Sequence, residues 1–173
     1  MTKLYTISAF TENSPGVLQR ITITFTKRKL NIESLTVSET EKEGISRFTI
    51  VIKADEKLIS TVVKQLRRII EIRDVFASEN EDLIFKEISL IRVFSNVTAD
   101  REKIESLAHR YGGKIEYATK EYLIIEITGT EDSIRSLYQL LEPYGIAEFA
   151  RSGRIALRKD VILPEKLGNS GSN

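Results

Sequence analysis

Two short segments near the N-terminus contain the residue types best suited to binding a small molecule. The first consists of residues 13–18, with the sequence NSPGVL, and the second begins with Asn31. Gly16 has no side chain and stands at the start of a candidate helix, so a carboxylate can approach the unpaired N–H groups of the first turn. Asn31 carries an amide that both donates and accepts hydrogen bonds. Together these groups can hold an amino acid.

The same residues also have a purely structural interpretation. Asn-Ser-Pro-Gly is a common turn sequence, in which Asn13 or Ser14 caps the helix and Pro15 occupies its first turn. The residues alone leave the binding site and the turn as alternatives.

The composition excludes several functional classes. The chain has 173 residues and a net charge of +1, with charges of both signs interspersed, so no basic stripe indicates nucleic-acid binding. It has no cysteine, which excludes thiolate metal sites and cysteine nucleophiles and fits a cytoplasmic location. His109, the one histidine, is predicted to lie on the surface near the end of a helix. No catalytic residue or metal site is predicted, and no signal peptide or membrane-spanning run is recognised.

The elements that position the two segments follow from hydrophobic periodicity. Strands are predicted at about 3–10, 32–39, 45–52 and 71–77, with a helix at 55–70. Residues 21–26 alternate like a strand, but the apolar residues from Val17 to Phe25 also share one helical face. The cap signals favour the helix. The resulting order, βαββαβ, is that of a ferredoxin-like module.

The same order is predicted a second time. Thr98 and Thr130 are candidate caps of two further helices, and strands are predicted at about 87–94, 115–117, 122–128, 146–150 and 154–157. The predicted fold is therefore α+β, with two tandem ferredoxin-like βαββαβ modules. Its predicted divisions are a first domain at 1–77, a polar linker at 78–85, a second domain at 86–160 and a flexible tail at 161–173.

Six segments of the chain resemble those of one family, at residues 13–20, 31–37, 46–51, 86–91, 125–129 and 144–157. They are similar to the regulatory, or small, subunit of acetohydroxyacid synthase, which is also called acetolactate synthase. The resemblance covers about residues 3–160 and implies that the N-terminal module is an ACT domain. The pairing of the N-terminal motif with Ala-Arg-Ser-Gly at 150–153 makes the resemblance specific.

The resemblance implies a subunit with no catalysis of its own. Such a subunit binds and activates a thiamine-diphosphate-dependent catalytic subunit, in which thiamine diphosphate, magnesium and FAD are expected. In many members it conveys feedback inhibition by valine in branched-chain amino acid biosynthesis, which includes that of isoleucine. The family's ACT domains pair side by side, so a homodimer with effector sites at its interface is implied, and neither a nucleic acid nor a membrane is an implied partner.

The effector contacts implied by the resemblance are Asn13, Gly16, Val17, Leu18, Asn31 and Ile32. The helix N-terminus would take the carboxylate of valine, the asparagines its polar groups, and the apolar neighbours its isopropyl group. The chain departs from the family at Ile23 and Lys29, where glycine is usual. Lys29 must therefore end the first helix without the residue that adopts the left-handed conformation most easily.

Other functions remain as alternatives. One is a stand-alone ACT-type amino acid sensor that regulates a different partner. A second is an RNA-binding module, which the missing RNP pattern and basic patch oppose. A third is a small enzyme that uses carboxylates or tyrosines, which the missing nucleophile, metal and phosphate motifs oppose. Residues 151–154, RSGR, are either a turn with exposed arginines or part of a functional contact, with the catalytic subunit or an effector.

Overall fold

The computed structural model describes residues 1–95 and 98–160. The N-terminal module consists of β1 (Lys3–Glu12), α1 (Val17–Thr26), β2 (Ile32–Glu39), β3 (Ile45–Ala54), α2 (Glu56–Leu66) and β4 (Ile72–Glu79). Its antiparallel sheet has the strand order β2-β3-β1-β4. Helices α1 and α2 pack against one face of this sheet, over a core that includes Ile7, Phe25, Ile50 and Val62.

The second module repeats the arrangement with β5 (Leu83–Phe94), α3 (Thr98–Arg110), β6 (Lys114–Ala118), β7 (Tyr122–Gly129), α4 (Glu131–Leu141), β8 (Ile146–Arg151) and β9 (Ile155–Arg158). Its strand order is β6-β7-β5-β8, and β9 pairs with the first half of β5. A separate core, with Ile91, Ile125 and Leu137, lies beneath α3 and α4. The predicted fold of two ferredoxin-like modules is confirmed.

Residues 17–26, whose sequence fits both a strand and a helix, form the helix α1. Val17, Ile21 and Phe25 are buried on one side, so the helical stripe rather than the alternation matches the core. The threonines in this segment favour a strand by their sequence pattern, but in the helix their hydroxyl groups donate hydrogen bonds to carbonyl groups one turn earlier. For example, the hydroxyl of Thr22 donates to the carbonyl of Leu18 at 3.0 Å.

The start of α1 differs from the prediction. Its N-cap is Gly16, in the left-handed conformation with φ of 85°, and no side chain caps this end. The predicted cap by Asn13 or Ser14 is therefore wrong, because the turn continues for two more residues before the helix begins. Pro15 lies in that turn and not in the first helical turn. The N–H of Asn13 instead donates to the carbonyl of Gly44 at 2.7 Å, which joins the turn to the β2–β3 connection.

Two boundaries also differ from those expected. Helix α2 ends at Leu66, and Ile70, predicted on its apolar stripe, is 88% exposed because residues 67–71 form successive turns. The segment predicted as a linker, 78–85, consists of the end of β4, a 3-10 turn at Asn80–Asp82 and the start of β5. The division into 1–77 and 86–160 stays a prediction, and the tail at 161–173 lies outside the described residues.

The predictions for the caps of α3 and α4, for His109 and for membrane-spanning helices can be compared with the structure. Thr130 caps α4 through its hydroxyl, which accepts from the N–H of Ser133 at 3.3 Å, as predicted. Thr98 is the first residue of α3, and His109 is exposed in its last turn. Across residues 1–95 and 98–160, no helix is long and apolar enough to cross a membrane.

Lys29 ends the first helical segment in the left-handed conformation, with φ of 55°. The N–H of Leu30 donates to the carbonyl of Phe25 at 3.1 Å, and that of Lys29 donates to Thr26 at 3.0 Å. These two bonds define a Schellman motif, in which glycine normally takes the left-handed position. Lys29 therefore occupies a backbone conformation that costs a residue with a Cβ about 1 kcal/mol or more.

We expect Lys29→Gly to raise the free energy of unfolding by about 1 kcal/mol, because the strain at the left-handed position disappears. The matched control is Lys27→Gly, two residues earlier, where the backbone is right-handed with φ of −58°. That change should lower the free energy of unfolding by about 1 kcal/mol, as glycine does in a helix. Chemical denaturation measures both, and a Lys29→Gly variant less stable than the wild type would contradict the assignment.

Candidate effector site and module contact

The N-terminus of α1 lies on the surface beside the guanidinium of Arg20. Gly16 is exposed, and the N–H groups of the first turn have no side-chain cap. The guanidinium of Arg20 stands beside them, since a Cβ placed on Gly16 would lie 3.8 Å from Arg20 Nη1. Arg20 is itself held by an ion pair with Glu71. A carboxylate here would meet backbone donors, the positive end of the helix dipole and a fixed cation.

Arg20 was not singled out from the sequence. Its spacing of four residues from Gly16 places the two on one side of the helix, which was the available signal. The apolar candidates differ from one another. Val17 is buried in the core and Ile32 packs partly against it, whereas Leu18 is exposed next to Gly16. Only Leu18 can therefore offer a full side chain to a ligand at the helix start.

The structure does not bring Asn13 and Asn31 together within one chain. Asn13 directly follows Glu12, the last residue of β1, whereas Asn31 directly precedes β2. The first residue of β2, Ile32, is level with Tyr5 near the opposite end of β1. Seven residues of strand separate Tyr5 from Glu12, which corresponds to roughly 24 Å. A single chain therefore offers two half-sites, with the asparagines at opposite ends of the sheet.

Asn31 has a local partner in this arrangement. Its Nδ2 donates to Glu33 Oε1 at 3.3 Å, and both side chains are exposed. The amide is therefore free to exchange this surface contact for a ligand at little cost.

A second cluster of polar residues joins the two modules. Strands β8 and β9 both pair with the same edge of β5, and residues 152–154 between them bulge toward the N-terminal sheet. Gly153 lies so close to β2 that a Cβ there would overlap Thr36 Oγ1 and lie 2.8 Å from Ser34 Oγ. Only glycine fits this approach without displacement.

Arg154 follows in the bulge and is 2% exposed, so the interpretation of exposed arginines at 151–154 is wrong for this residue. Its Nη1 donates to Thr6 Oγ1 at 3.1 Å and to Asn80 Oδ1 at 2.8 Å. Its guanidinium carbon lies 4.1 Å from the ring centre of Phe85. The sequence did not indicate this burial, because an arginine in a Gly-Ser turn is usually exposed.

Glu87 supplies the opposite charge. It is 4% exposed, and its carboxylate lies 3.8 Å from Arg154 Nε and 3.4 Å from Arg151 Nε. Burial raises the pKa of Glu87, and the attraction of Arg151 and Arg154 offsets this only in part. Burial also lowers the pKa of Arg154. The cost of desolvation therefore exceeds the attraction on both sides, and the contact specifies a position more than it adds stability.

The face of the N-terminal sheet that lies away from its helices is lined with hydroxyl groups. Thr6, Ser8, Thr49 and Ser78 are buried there, although alternation along the strands would place them in water. The bulge, β9 and Phe85 contact this face, so the second module acts as its cover.

No group of His, Cys, Asp and Glu side chains in residues 1–95 and 98–160 could hold a metal ion. The described residues form an uncapped helix start, an exposed edge strand and a buried module contact. These are features of a binding module.

Comparison with known proteins agrees with this geometry. A family model described as the AHAS small subunit-like ACT domain matches residues 7–74, and one for the small subunit of acetolactate synthase matches residues 86–160. The probable acetolactate synthase small subunit of Archaeoglobus fulgidus is 39% identical over 153 residues, which cover 88% of this chain and 95% of that protein. That of Aquifex aeolicus is 36% identical over 160 residues, which cover 92% and 83%.

The crystal structure of the acetolactate synthase small subunit from Thermotoga maritima aligns with a TM-score of 0.84 and 31% identity, covering 92% of this chain and 99% of that one. The fold and these matches define a regulatory protein built on an ACT domain. Within that class, the chain belongs to the family of acetolactate synthase small subunits. It is a regulatory partner of a catalytic subunit and is not itself catalytic.

We expect Gly153→Ala to lower the free energy of unfolding by about 1–3 kcal/mol, because the new methyl group overlaps the hydroxyl of Thr36. In a Thr36→Ala background the same change should cost less, since the nearest overlapping atom is gone. The double-mutant cycle, measured by chemical denaturation, should therefore be non-additive. Equal costs in both backgrounds would contradict the contact.

Arg154→Met should lower the free energy of unfolding by about 3 kcal/mol, because it leaves the Glu87 carboxylate buried with less compensation. Without Arg154 the pKa of Glu87 rises further. The loss should therefore grow as the pH rises above 4.5, the ordinary pKa of a glutamate, because the buried carboxyl then ionises without Arg154 to offset its charge. Arg73→Met, an exposed arginine paired with Glu12 outside this cluster, is the control and should show neither effect. A pH-independent loss at Arg154 would contradict the pairing with Glu87.

Proposed function

We propose that this chain activates the catalytic subunit of acetolactate synthase and conveys feedback inhibition by valine, in the cytoplasm. The observation that carries the proposal is the uncapped, exposed start of α1 at Gly16, with the Arg20 guanidinium beside it. Thiamine diphosphate, magnesium and FAD would belong to the catalytic subunit. Membership of the small-subunit family supports the choice of partner.

The effector site requires two copies of the chain. Asn13 and Asn31 of one chain lie beyond the two ends of a strand segment that is roughly 24 Å long, and a ligand as small as valine cannot span that distance. Strand β2 is at the edge of its sheet, with one neighbour, β3. Antiparallel pairing of two β2 edges about a two-fold axis would place the Asn31 end of one copy near the Asn13 end of the other. Each homodimer would then contain two equivalent sites.

Each part of valine has a counterpart in such a site. The carboxylate would bind the N–H groups at Gly16 and the Arg20 guanidinium. The amides of Asn13 and of Asn31 from the other copy would hold the ammonium and orient the ligand. Leu18 would contact the isopropyl group, while Val17 and Ile32 would support it from the core side.

Inhibition follows from linkage between this site and the catalytic subunit. Valine can inhibit only if it binds the inactive arrangement of the complex more tightly than the active one. A typical coupling free energy of about 1–3 kcal/mol corresponds to roughly 5- to 150-fold in affinity. By the same coupling, valine would bind more weakly to the complex when the catalytic subunit is in its active arrangement.

The first test is the rate of acetolactate formation by the matching catalytic subunit, titrated with this protein. We expect a saturable rise in rate, followed by a fall when valine is added at the saturated point. An unchanged rate with both proteins folded would overturn the activation. If valine still bound the isolated chain, the alternative of an ACT-type sensor with another partner would be favoured instead.

The second test uses calorimetric titration with valine. Asn13→Ala and Asn31→Ala should each weaken binding by about tenfold, because each removes a hydrogen bond to a charged group. Gln139→Ala, an exposed amide on α4, is the matched control and should bind as the wild type does.

Mixing the two variants tests the shared site. In a mixed dimer, one site carries both changes and the other carries neither. We therefore expect a mixture of Asn13→Ala and Asn31→Ala chains, after exchange of subunits, to regain a class of sites with wild-type affinity. If each chain formed its own site, the mixture would bind no better than the separate variants.

A further inference from the structure

A cavity of about 340 Å³ lies between the two modules, away from the start of α1. Its floor is the hydroxyl-lined face of β2 and β3, and its wall is the pair of strands β5 and β9. The residues that matter for its chemistry are Arg47, Lys86, Thr49, Ile84, Ile155 and Leu157. Its volume is within the range of ligand sites in proteins, roughly 300–1,000 Å³.

Arg47 provides a cation that lies over the Phe10 ring, 5.2 Å from its centre, and that has no carboxylate partner among the described residues. Its Nη2 donates to Ser8 Oγ at 3.2 Å and to the carbonyl of Ala156. Its Nε is buried without a partner, and Nη1 makes no hydrogen bond with the described residues. No ion pair within residues 1–95 and 98–160 includes Arg47.

The side chains that line the cavity around Arg47 carry more positive than negative charge. Burial lowers its pKa, and the one acidic group that acts against this effect, Glu41, has the smaller influence. Lys86 brings a second cation to the cavity, and no acidic side chain is among the described residues that line it. A half-buried guanidinium with spare donors, and with no carboxylate beside it, is a site for an anion.

The walls of the cavity are aliphatic. Ile84, Ile155 and Leu157 are 58%, 63% and 64% exposed, which is unusual for three large apolar side chains in contact with one cavity. In the register of β5 and β9, Ile84 is paired with Leu157 and Ile155 with Lys86, so these side chains share one face of the strand pair, opposite to Phe85 and Ala156. A ligand that covered them would remove apolar surface from water while its charged end met Arg47.

We propose that this cavity binds a small aliphatic monocarboxylate, with its carboxylate on Arg47 and its hydrocarbon part against Ile84, Ile155 and Leu157. An amino acid would bring an ammonium group into a cavity with two cations and no carboxylate. The cavity therefore selects against amino acids, in contrast to the effector site at Gly16. Because both modules line the cavity, the bound acid would also stabilise their contact.

Isovalerate is the probe, titrated calorimetrically into the full chain, with isovaleramide as its uncharged counterpart of the same shape. We expect isovalerate to bind at least about tenfold more tightly, since the amide cannot pair with the guanidinium. Valine is tested in the Asn13→Ala, Asn31→Ala background, and it should bind there more weakly than isovalerate. Equal affinity for isovalerate and its amide, or no binding of isovalerate, would overturn the proposal.

Variants locate the binding site. Arg47→Met should weaken isovalerate binding by about tenfold. Arg92→Met is the matched control, because Arg92 also lies over an aromatic ring but is in the second module outside the cavity. Leu157→Ser tests the aliphatic wall at an exposed position where folding should be unaffected, and it should weaken binding too.

The two proposed sites can fail separately. Asn13→Ala should leave isovalerate binding unchanged, and Arg47→Met should leave valine binding unchanged. Wild-type affinity for isovalerate in both Arg47→Met and Leu157→Ser would show that the acid binds elsewhere and would overturn the assignment.

Discussion

A buried guanidinium needs groups that offset its charge and accept its hydrogen bonds, and in this protein the groups around Arg154 come from different parts of the chain. Thr6 of the N-terminal sheet and Asn80 of the turn between β4 and β5 accept its hydrogen bonds, and Glu87 of β5 provides the opposite charge. Because a charge loses its hydration on burial, this arrangement is tolerable only while all of these groups are in place. The hydroxyl groups of the first sheet are buried by the same contact, and once the second module excludes water they need hydrogen-bond partners within the protein. The two modules therefore have a defined relative position instead of a flexible connection.

Strand β2 links the module contact to the proposed effector site. Asn31 stands immediately before this strand, and Ser34, three residues later, accepts a hydrogen bond from the N–H of Arg154. Thr36, further along, lies against Gly153. An effector held at one end of β2 would therefore act on the strand that bears the bulge of the second module. Since β2 is also the sheet edge, pairing between copies would place the dimer contact and the module contact on one strand.

The order and type of the elements could be predicted because each has a local signal. The apolar stripe from Val17 to Phe25 decided the helix, and Thr130 marked a cap. The burial of Thr6, Ser8 and Arg154 had no such signal, because alternation shows which residues share a face of a strand but not what covers that face. The separation of Asn13 and Asn31 could have been predicted from the order of the strands. In a βαββαβ module the first two strands run in the same direction, so the end of β1 and the start of β2 lie at opposite ends of the sheet. The role of Arg47 depends on a cavity between modules and could not be seen in the sequence.

The sequence separation of 148 residues between Thr6 and Arg154 has a consequence for how the protein is made. During synthesis on the ribosome, the first sheet can form long before the residues that cover it have left the exit tunnel. Its hydroxyl face stays hydrated in that interval, and hydroxyl groups tolerate water where an apolar face would aggregate. A face of the first module that carries several hydroxyl groups, and that Arg154 closes last, thus suits a protein whose modules are produced one after the other.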